Sequence, residues 1–116
     1  MSELDAALNR FQRHEGVEQI VLLGSDGLVV QQTGSTQAAE SVAARIPGLT
    51  DAASSLGDAA DRGEFGTAVL EFGDGVAIVL SLSEDLLLAV MLRPGVGFAP
   101  LLRDLRRERS HLVELI

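Results

Sequence analysis

Apolar runs and helical stripes follow one another here in an order that leaves the fold little freedom: a helix, a tight hairpin, a long alanine-rich helix, a three-strand meander and a closing helix. Ser2 can cap the first helix, with Glu3 and Asp5 in a first turn where the helix dipole favours anions. Leu4, Ala7, Leu8 and Phe11 recur at the spacing of an amphipathic helix that ends near Gly16. Residues 17–23 and 28–33 are rich in β-branched side chains and flank Gly24-Ser25-Asp26-Gly27, whose Asp-Gly pair signals a hairpin. Ser35 or Thr36 can cap a helix over about 37–62, which Pro47-Gly48 either kinks or splits into two helices in series. Residues 67–72, 76–82 and 86–92 are then three strands, joined through Gly73-Asp74-Gly75 and Ser83-Glu84-Asp85. After the loop Arg93-Pro94-Gly95-Val96-Gly97, a last helix begins near Phe98 or Ala99 with Pro100 in its first turn. Phe98, Leu101, Leu102, Leu105, Leu112 and Ile116 give that helix an apolar side.

The strands suggest their own arrangement. Residues 20–23, 76–80 and 86–92 are apolar on both faces, whereas Gln31-Gln32-Thr33 and Glu71 make the second and third strands mixed. Strands one, four and five therefore belong at the centre. Keeping hairpin neighbours adjacent leaves 2-1-5-4-3 as the simplest order, an α+β fold whose antiparallel five-stranded sheet is covered by helices on both faces. With 116 residues and no repeat or linker, one domain over 1–116 is expected.

Composition removes whole classes of function. No apolar run approaches a membrane span, and the acidic opening Met1-Ser2-Glu3-Leu4-Asp5 lacks the basic region of a secretory signal. The absence of cysteine excludes disulfides, thiolate metal sites and thiol nucleophiles and fits a cytoplasmic protein. A formal charge of −8 argues against nucleic acid as the main partner. All nine basic residues are Arg, which removes lysine-dependent phosphate and Schiff-base chemistry.

Gly16-Val17-Glu18-Gln19-Ile20-Val21-Leu22-Leu23-Gly24-Ser25-Asp26-Gly27-Leu28-Val29-Val30, the Ala-rich helix, the strand-turn-strand around Gly73-Asp74-Gly75 and Arg93-Pro94-Gly95 together resemble the roadblock / dynein light chain domain. That is a longin-like module, and its bacterial MglB-type versions are the nearest in pattern. The resemblance covers nearly the whole chain. It implies a sheet in the order given above, with the middle helix on one face and the two terminal helices on the other. It also implies dimers that pair the third strand and the middle helix with their copies, and partnership with Ras-like small GTPases or motor complexes. In the bacterial versions it implies a homodimer that regulates a small GTPase, commonly by speeding hydrolysis.

Half of residues 37–62 are Ala, Ser or Gly. Val42, Ile46, Leu49, Ala53, Leu56 and Ala60 form a stripe suited to the chain's own sheet. Beside it run Ala38, Ser41, Arg45, Gly48, Ala52, Ser55 and Ala59, nearly all small and assigned to a second copy of the helix, although Ala is also simply a good helix former. Thr67, Val69 and Glu71 join this interface through a third strand that has no Pro and a single charge, an edge prone to aggregate unless paired. Glu40, Asp51, Ser54, Asp58 and Asp61 form an outer side that meets solvent or a third protein.

Chemistry is sparse. His14 and His111 sit among charges in separate helices with no convergent group and read as solvated. Ser25-Asp26 reads as a turn, and Gly95-Val96-Gly97 is no dinucleotide fingerprint, since Pro100 stands where the third glycine belongs. Glu84-Asp85 and Asp58-Asp61 read as exposed acids. Arg103, Arg106, Arg107 and Arg109 interleave with Asp104 and Glu108, which can pair with them along the helix, so the cluster reads as a solvated face. Arg45, Arg62 and Arg93 are the candidates for an arginine finger. No catalytic residue, metal or cofactor is expected. Three readings follow: a homodimeric, non-enzymatic regulator of a Ras-like GTPase, a passive dimeric scaffold, and a small-ligand sensor.

Overall fold

The computed structural model describes residues 2–116. Its elements are α1 (Glu3–Gln12), β1 (Val17–Gly24), β2 (Val29–Gly34), α2 (Ala39–Ala59), β3 (Thr67–Phe72), β4 (Gly75–Ser81), β5 (Leu86–Leu92) and α3 (Ala99–Leu115). The sheet is antiparallel in the order β2-β1-β5-β4-β3, with the apolar strands central and the mixed ones at the edges.

Alternation along the central strands splits the core into two layers. Ile20, Leu22, Ile78, Leu80, Leu88, Val90 and Leu92 face α1 and α3, where they meet Ala7, Leu8, Phe11, Leu101, Leu105 and Leu112. Val21, Leu23, Val79, Leu87 and Ala89 face the opposite way, onto Ala39, Ala43 and Ile46 of α2. The α2 layer buries smaller side chains, and the larger apolar payload lies under the terminal helices.

Turn chemistry pins the hairpin end. Asp26 Oδ1 accepts from the Leu28 amide at 3.1 Å, and the Gly27 amide donates to the Gly24 carbonyl at 2.9 Å, an Asx-type turn. Gly27 has φ +83°, and an added Cβ would lie 3.4 Å from the Ala44 Cα, so glycine serves both the turn and its close seat on α2. The Ser25 amide donates to the Asp85 carbonyl at 2.9 Å, tying the β1–β2 and β4–β5 turns together. At the other end buried Gln19 donates from Nε2 to the Ser35 and Gln37 carbonyls at 2.7 and 3.1 Å. That side chain anchors the β2–α2 connection, which regular hydrogen bonding leaves loose.

Several sequence expectations change. Ser2 does cap α1, forming a reciprocal box with Asp5. Neither Ser35 nor Thr36 caps α2: its N-cap is Ala38, left-handed at φ 60° with no side-chain bond, while Ser35 Oγ accepts from the Gln37 amide in a local turn. The helix runs unbroken through Pro47, so it is not two helices in series, and it stops at Ala59 rather than near Arg62. Its inward stripe is Ala39, Ala43, Ile46 and Thr50, with Val42, Leu49 and Ala53 half-buried; Leu56 (69% exposed) and Ala60 point to solvent instead. Twenty-one helical residues span about 31 Å, while a strand of seven covers about 23 Å, so the last turn or so of α2, about five residues, outruns the sheet beneath it. Ile116 is likewise half-exposed rather than part of the inner side of α3.

Candidate interaction site

Three features converge on the α2 side of the molecule: the flank of the helix, the bare edge of β3, and a cleft at the turn end of the sheet. On the outer flank, two positions on from the buried Ala39, Ala43, Ile46 and Thr50 and so turned about 200° from them, Ser41, Arg45, Gly48, Ala52, Ser55 and Ala59 are all exposed, and a Cβ added at Gly48 would meet nothing within 4 Å. Ala38 is exposed too, but at the cap rather than in the helix. Arg45, the one large member, folds back along the helix, donating from Nη1 to the Ser41 carbonyl and Oγ at 2.9 Å each. That leaves a shallow strip of small side chains open to close approach.

On the edge, Thr67 and Val69 are half-buried and Glu71 is exposed. Val69 packs on the terminal-helix core and Ala68 on the α2 core, so by alternation Phe72 stands on the α2 side. Phe72 is 61% exposed, and Leu56 is bare on the same side of the sheet. The sequence reading missed both as surface residues. Phe72 ends a strand whose partner, Gly75, has no side chain to cover it, and Leu56 lies beyond the part of α2 that the sheet supports.

The cleft encloses about 540 Å³ between α2, the β1–β2 and β4–β5 turns and the α2–β3 loop. Asp51, Ser54 and Asp58 line it from the helix, joined by Glu64 and Glu84. It thus gathers three of the five outer-side residues. Glu40, in the first turn of α2, and Asp61, left-handed just past its end, are exposed but do not line it.

Arg109 is the cation in this cleft, and the sequence had placed it in a solvated cluster. It is half-buried instead: Nη2 donates at 2.6 Å to the Gly66 carbonyl, which also accepts from the Ser81 amide at 2.9 Å. The side chain therefore crosses from α3 to hold the start of β3. Nothing in the local spacing could have shown this, because Gly66 is far away in sequence. Replacing Arg109 by Met keeps the bulk and removes the charge-assisted bond, and should cost roughly 1.5–3 kcal/mol in urea unfolding. Amide exchange should accelerate in β3 while β1 and β5 keep their protection. Unchanged β3 exchange would refute the anchoring role.

The other charged candidates are also relocated. Asp104 and Glu108 do not pair along α3. They reach α1 and the turn after it, Asp104 standing 3.3 Å from Nε2 of His14, which lies in that turn rather than in the helix, and Glu108 3.6 Å from Arg10 of α1. His14 is accordingly partly buried, stacked on Phe11 at 6.2 Å between ring centres, whereas His111 is exposed. Arg93 pairs with Glu15 at 3.3 Å, and none of Arg45, Arg62 and Arg93 lines the cleft. Among the described residues no group of three carboxylate or imidazole side chains could hold a metal, and no helix is long and apolar enough to cross a membrane.

A model of the Roadblock/LC7 domain matches residues 3–92, from α1 to the end of β5. The chain belongs to the Roadblock/LC7 domain family. Solved structures agree with the fold. The roadblock domain described above resembles Myxococcus xanthus MglB with a TM-score of 0.87 at 16% identity, over 98% of this chain and 94% of that one. It resembles a Roadblock/LC7 domain from Streptomyces avermitilis at 28% identity and TM-score 0.79, over 97% and 93%. The gliding protein MglB of Thermus thermophilus matches at 16% and 0.84, over 97% and 87%. Comparison with curated proteins gives no match by sequence. The family match ends before α3, while the likeness in fold to Myxococcus xanthus MglB extends over 98% of the chain.

Proposed function

We propose that this roadblock domain is a homodimeric, non-enzymatic interaction module of the cytoplasm that binds a Ras-like small GTPase and regulates it. The observation that carries the reading is the double exposure of α2 in a member of this family. One flank offers a strip of small residues to a second copy, and the neighbouring flank offers Asp51, Ser54 and Asp58 beside an acidic cleft. The dimer joins Ala38, Ser41, Arg45, Gly48, Ala52, Ser55 and Ala59 with Thr67, Val69 and Glu71, and Leu56 and Phe72 add apolar area on the same side of the sheet. Glu40 and Asp61 extend the partner face at the two ends of the helix.

Regulation works through differential affinity for the two nucleotide states, since only that can shift switch loops. A tenfold preference needs about 1.4 kcal/mol, within reach of a modest interface. Titrating the cognate GTPase loaded with a non-hydrolysable GTP analogue, and then with GDP, should give at least about tenfold tighter binding to the first. Equal affinities would overturn regulation and favour the passive scaffold, and no binding would remove the partner altogether. If hydrolysis is accelerated, Arg45→Ala, Arg62→Ala and Arg93→Ala should each leave most of the acceleration, whereas losing an arginine finger costs roughly 10³ or more.

A further inference from the structure

The diversion of Asp104 and Glu108 to α1 and the turn after it has an electrostatic consequence on the outer face of α3. Arg103, Arg106 and Arg107 are exposed there, and among the described residues none of them makes an ion pair or a side-chain hydrogen bond. With Ala99 and Leu102 they line a shallow, open depression. Val113 and Ile116, further along the helix, are 39% and 47% exposed. Helical periodicity sets Val113 in line with Arg106 and Leu102, so free guanidinium groups lie beside bare apolar side chains.

Charge is divided between the two sides of the sheet. Residues 2–15 and 99–116 hold six Arg and six acids, so the formal −8 lies wholly in residues 16–98, nine of whose eleven acids sit in the sheet turns, α2 and the α2–β3 loop, with Glu18 and Glu71 in the edge-proximal strands β1 and β3. The α2 and α3 layers are separated by the sheet, roughly 20 Å from axis to axis. That is about two and a half Debye lengths at physiological salt, so the acids of α2 are screened from whatever meets α3.

We propose that the α3 face carrying Arg103, Arg106 and Arg107 docks on an anionic lipid surface. The face is open and nearly flat, as a bilayer requires and an acidic peptide does not. It joins cations, which attract phosphate headgroups, to apolar side chains at the level where acyl chains begin. Pairing β3 antiparallel with its copy places the two-fold axis perpendicular to the sheet, so both α3 faces point the same way and six free arginines meet one membrane. The doubling rests on the proposed dimer, while the face itself does not. The acidic α2 layer then points away from the lipid.

The test is flotation of the purified chain with vesicles of phosphatidylcholine alone or mixed with phosphatidylglycerol, light scattering reporting its oligomeric state separately. The chain should bind only the phosphatidylglycerol vesicles and be released by salt. The R103Q/R106Q/R107Q variant should bind about a hundredfold more weakly, and R103K/R106K/R107K should retain binding. Should the Gln triple melt early, each single Gln variant carries the same test with about a fivefold loss. D51N/D58N, on the opposite layer, should leave binding undiminished. Absence of binding, equal binding to both vesicles, undiminished binding by the Gln variants, or capture of polyglutamate or duplex DNA without vesicle binding would each overturn the proposal.

Discussion

Ala52→Arg or Ala59→Arg should convert the purified protein from dimer to monomer, raising the dimer dissociation constant by at least about a hundredfold. Both alanines are exposed in the single chain, so an arginine there leaves the protomer fold intact. In the proposed pairing of two α2 helices, the small residues set the approach distance. A long charged side chain would hold the helices apart and bury a guanidinium without a partner, at a cost of several kcal/mol. Light scattering of the wild type should give close to twice 12.2 kDa, and of either variant close to 12.2 kDa. A variant that stays dimeric at micromolar concentration would remove this flank from the interface, and a monomeric wild type would remove the dimer itself. Circular dichroism melting of the variants separates a lost interface from a lost fold.

Gly34→Val should destabilise the fold by roughly 3 kcal/mol or more, a large share of the stability of a domain of this size. Gly34 ends β2 at φ +76°, a conformation that a β-branched residue rarely adopts. A Cβ there would also run into the Glu18 carbonyl oxygen, and the Gln12 side chain closes the space at 2.7 Å. Relief is blocked on every side, because the Glu18 carbonyl accepts from the Ser35 amide and Gln12 is tied to the Val17 carbonyl and the Thr33 hydroxyl. Urea unfolding of Gly34→Val measures the effect. A loss below about 1 kcal/mol would mean that the β2–α2 corner relaxes freely and that its hydrogen bonds are not the constraint described.

The two substitutions probe different parts of the molecule. Gly34 acts within one chain, where backbone and side-chain bonds from α1, β1 and β2 meet at a single corner. In the proposed dimer Ala52 and Ala59 act between chains, on a surface with no role in the protomer's own core. Arg109 stands between them: it belongs to α3 and binds the carbonyl that opens β3, so it links the terminal helix to the edge proposed to pair across the two-fold.

Wherever a local rule governed, the residues alone determined the result. Hydrophobic period told strands from helices, Asp-Gly and the glycine-flanked turns placed the hairpins, and apolarity on both faces put β1, β5 and β4 in the centre, because a mixed strand can tolerate solvent only at an edge. The Ser2 cap followed from the same kind of rule, its partner Asp5 being three residues away. Tertiary structure decided what depends on distance through space. Which turn of α2 is buried depends on where the sheet ends, so Leu56 looked inward by periodicity and faces solvent in the fold. Ser35 could cap a helix by its chemistry, but the chain leaves β2 along a path held by Gln19, and the helix starts four residues later without a side-chain cap. Asp104 and Glu108 had arginines within helical reach and found their partners in the turn after α1 and on α1 instead, because packing Phe11, Leu105 and Leu112 into one core brings the two helices together. A one-dimensional pattern records which side chains share a face, and only the packed layers determine what that face meets.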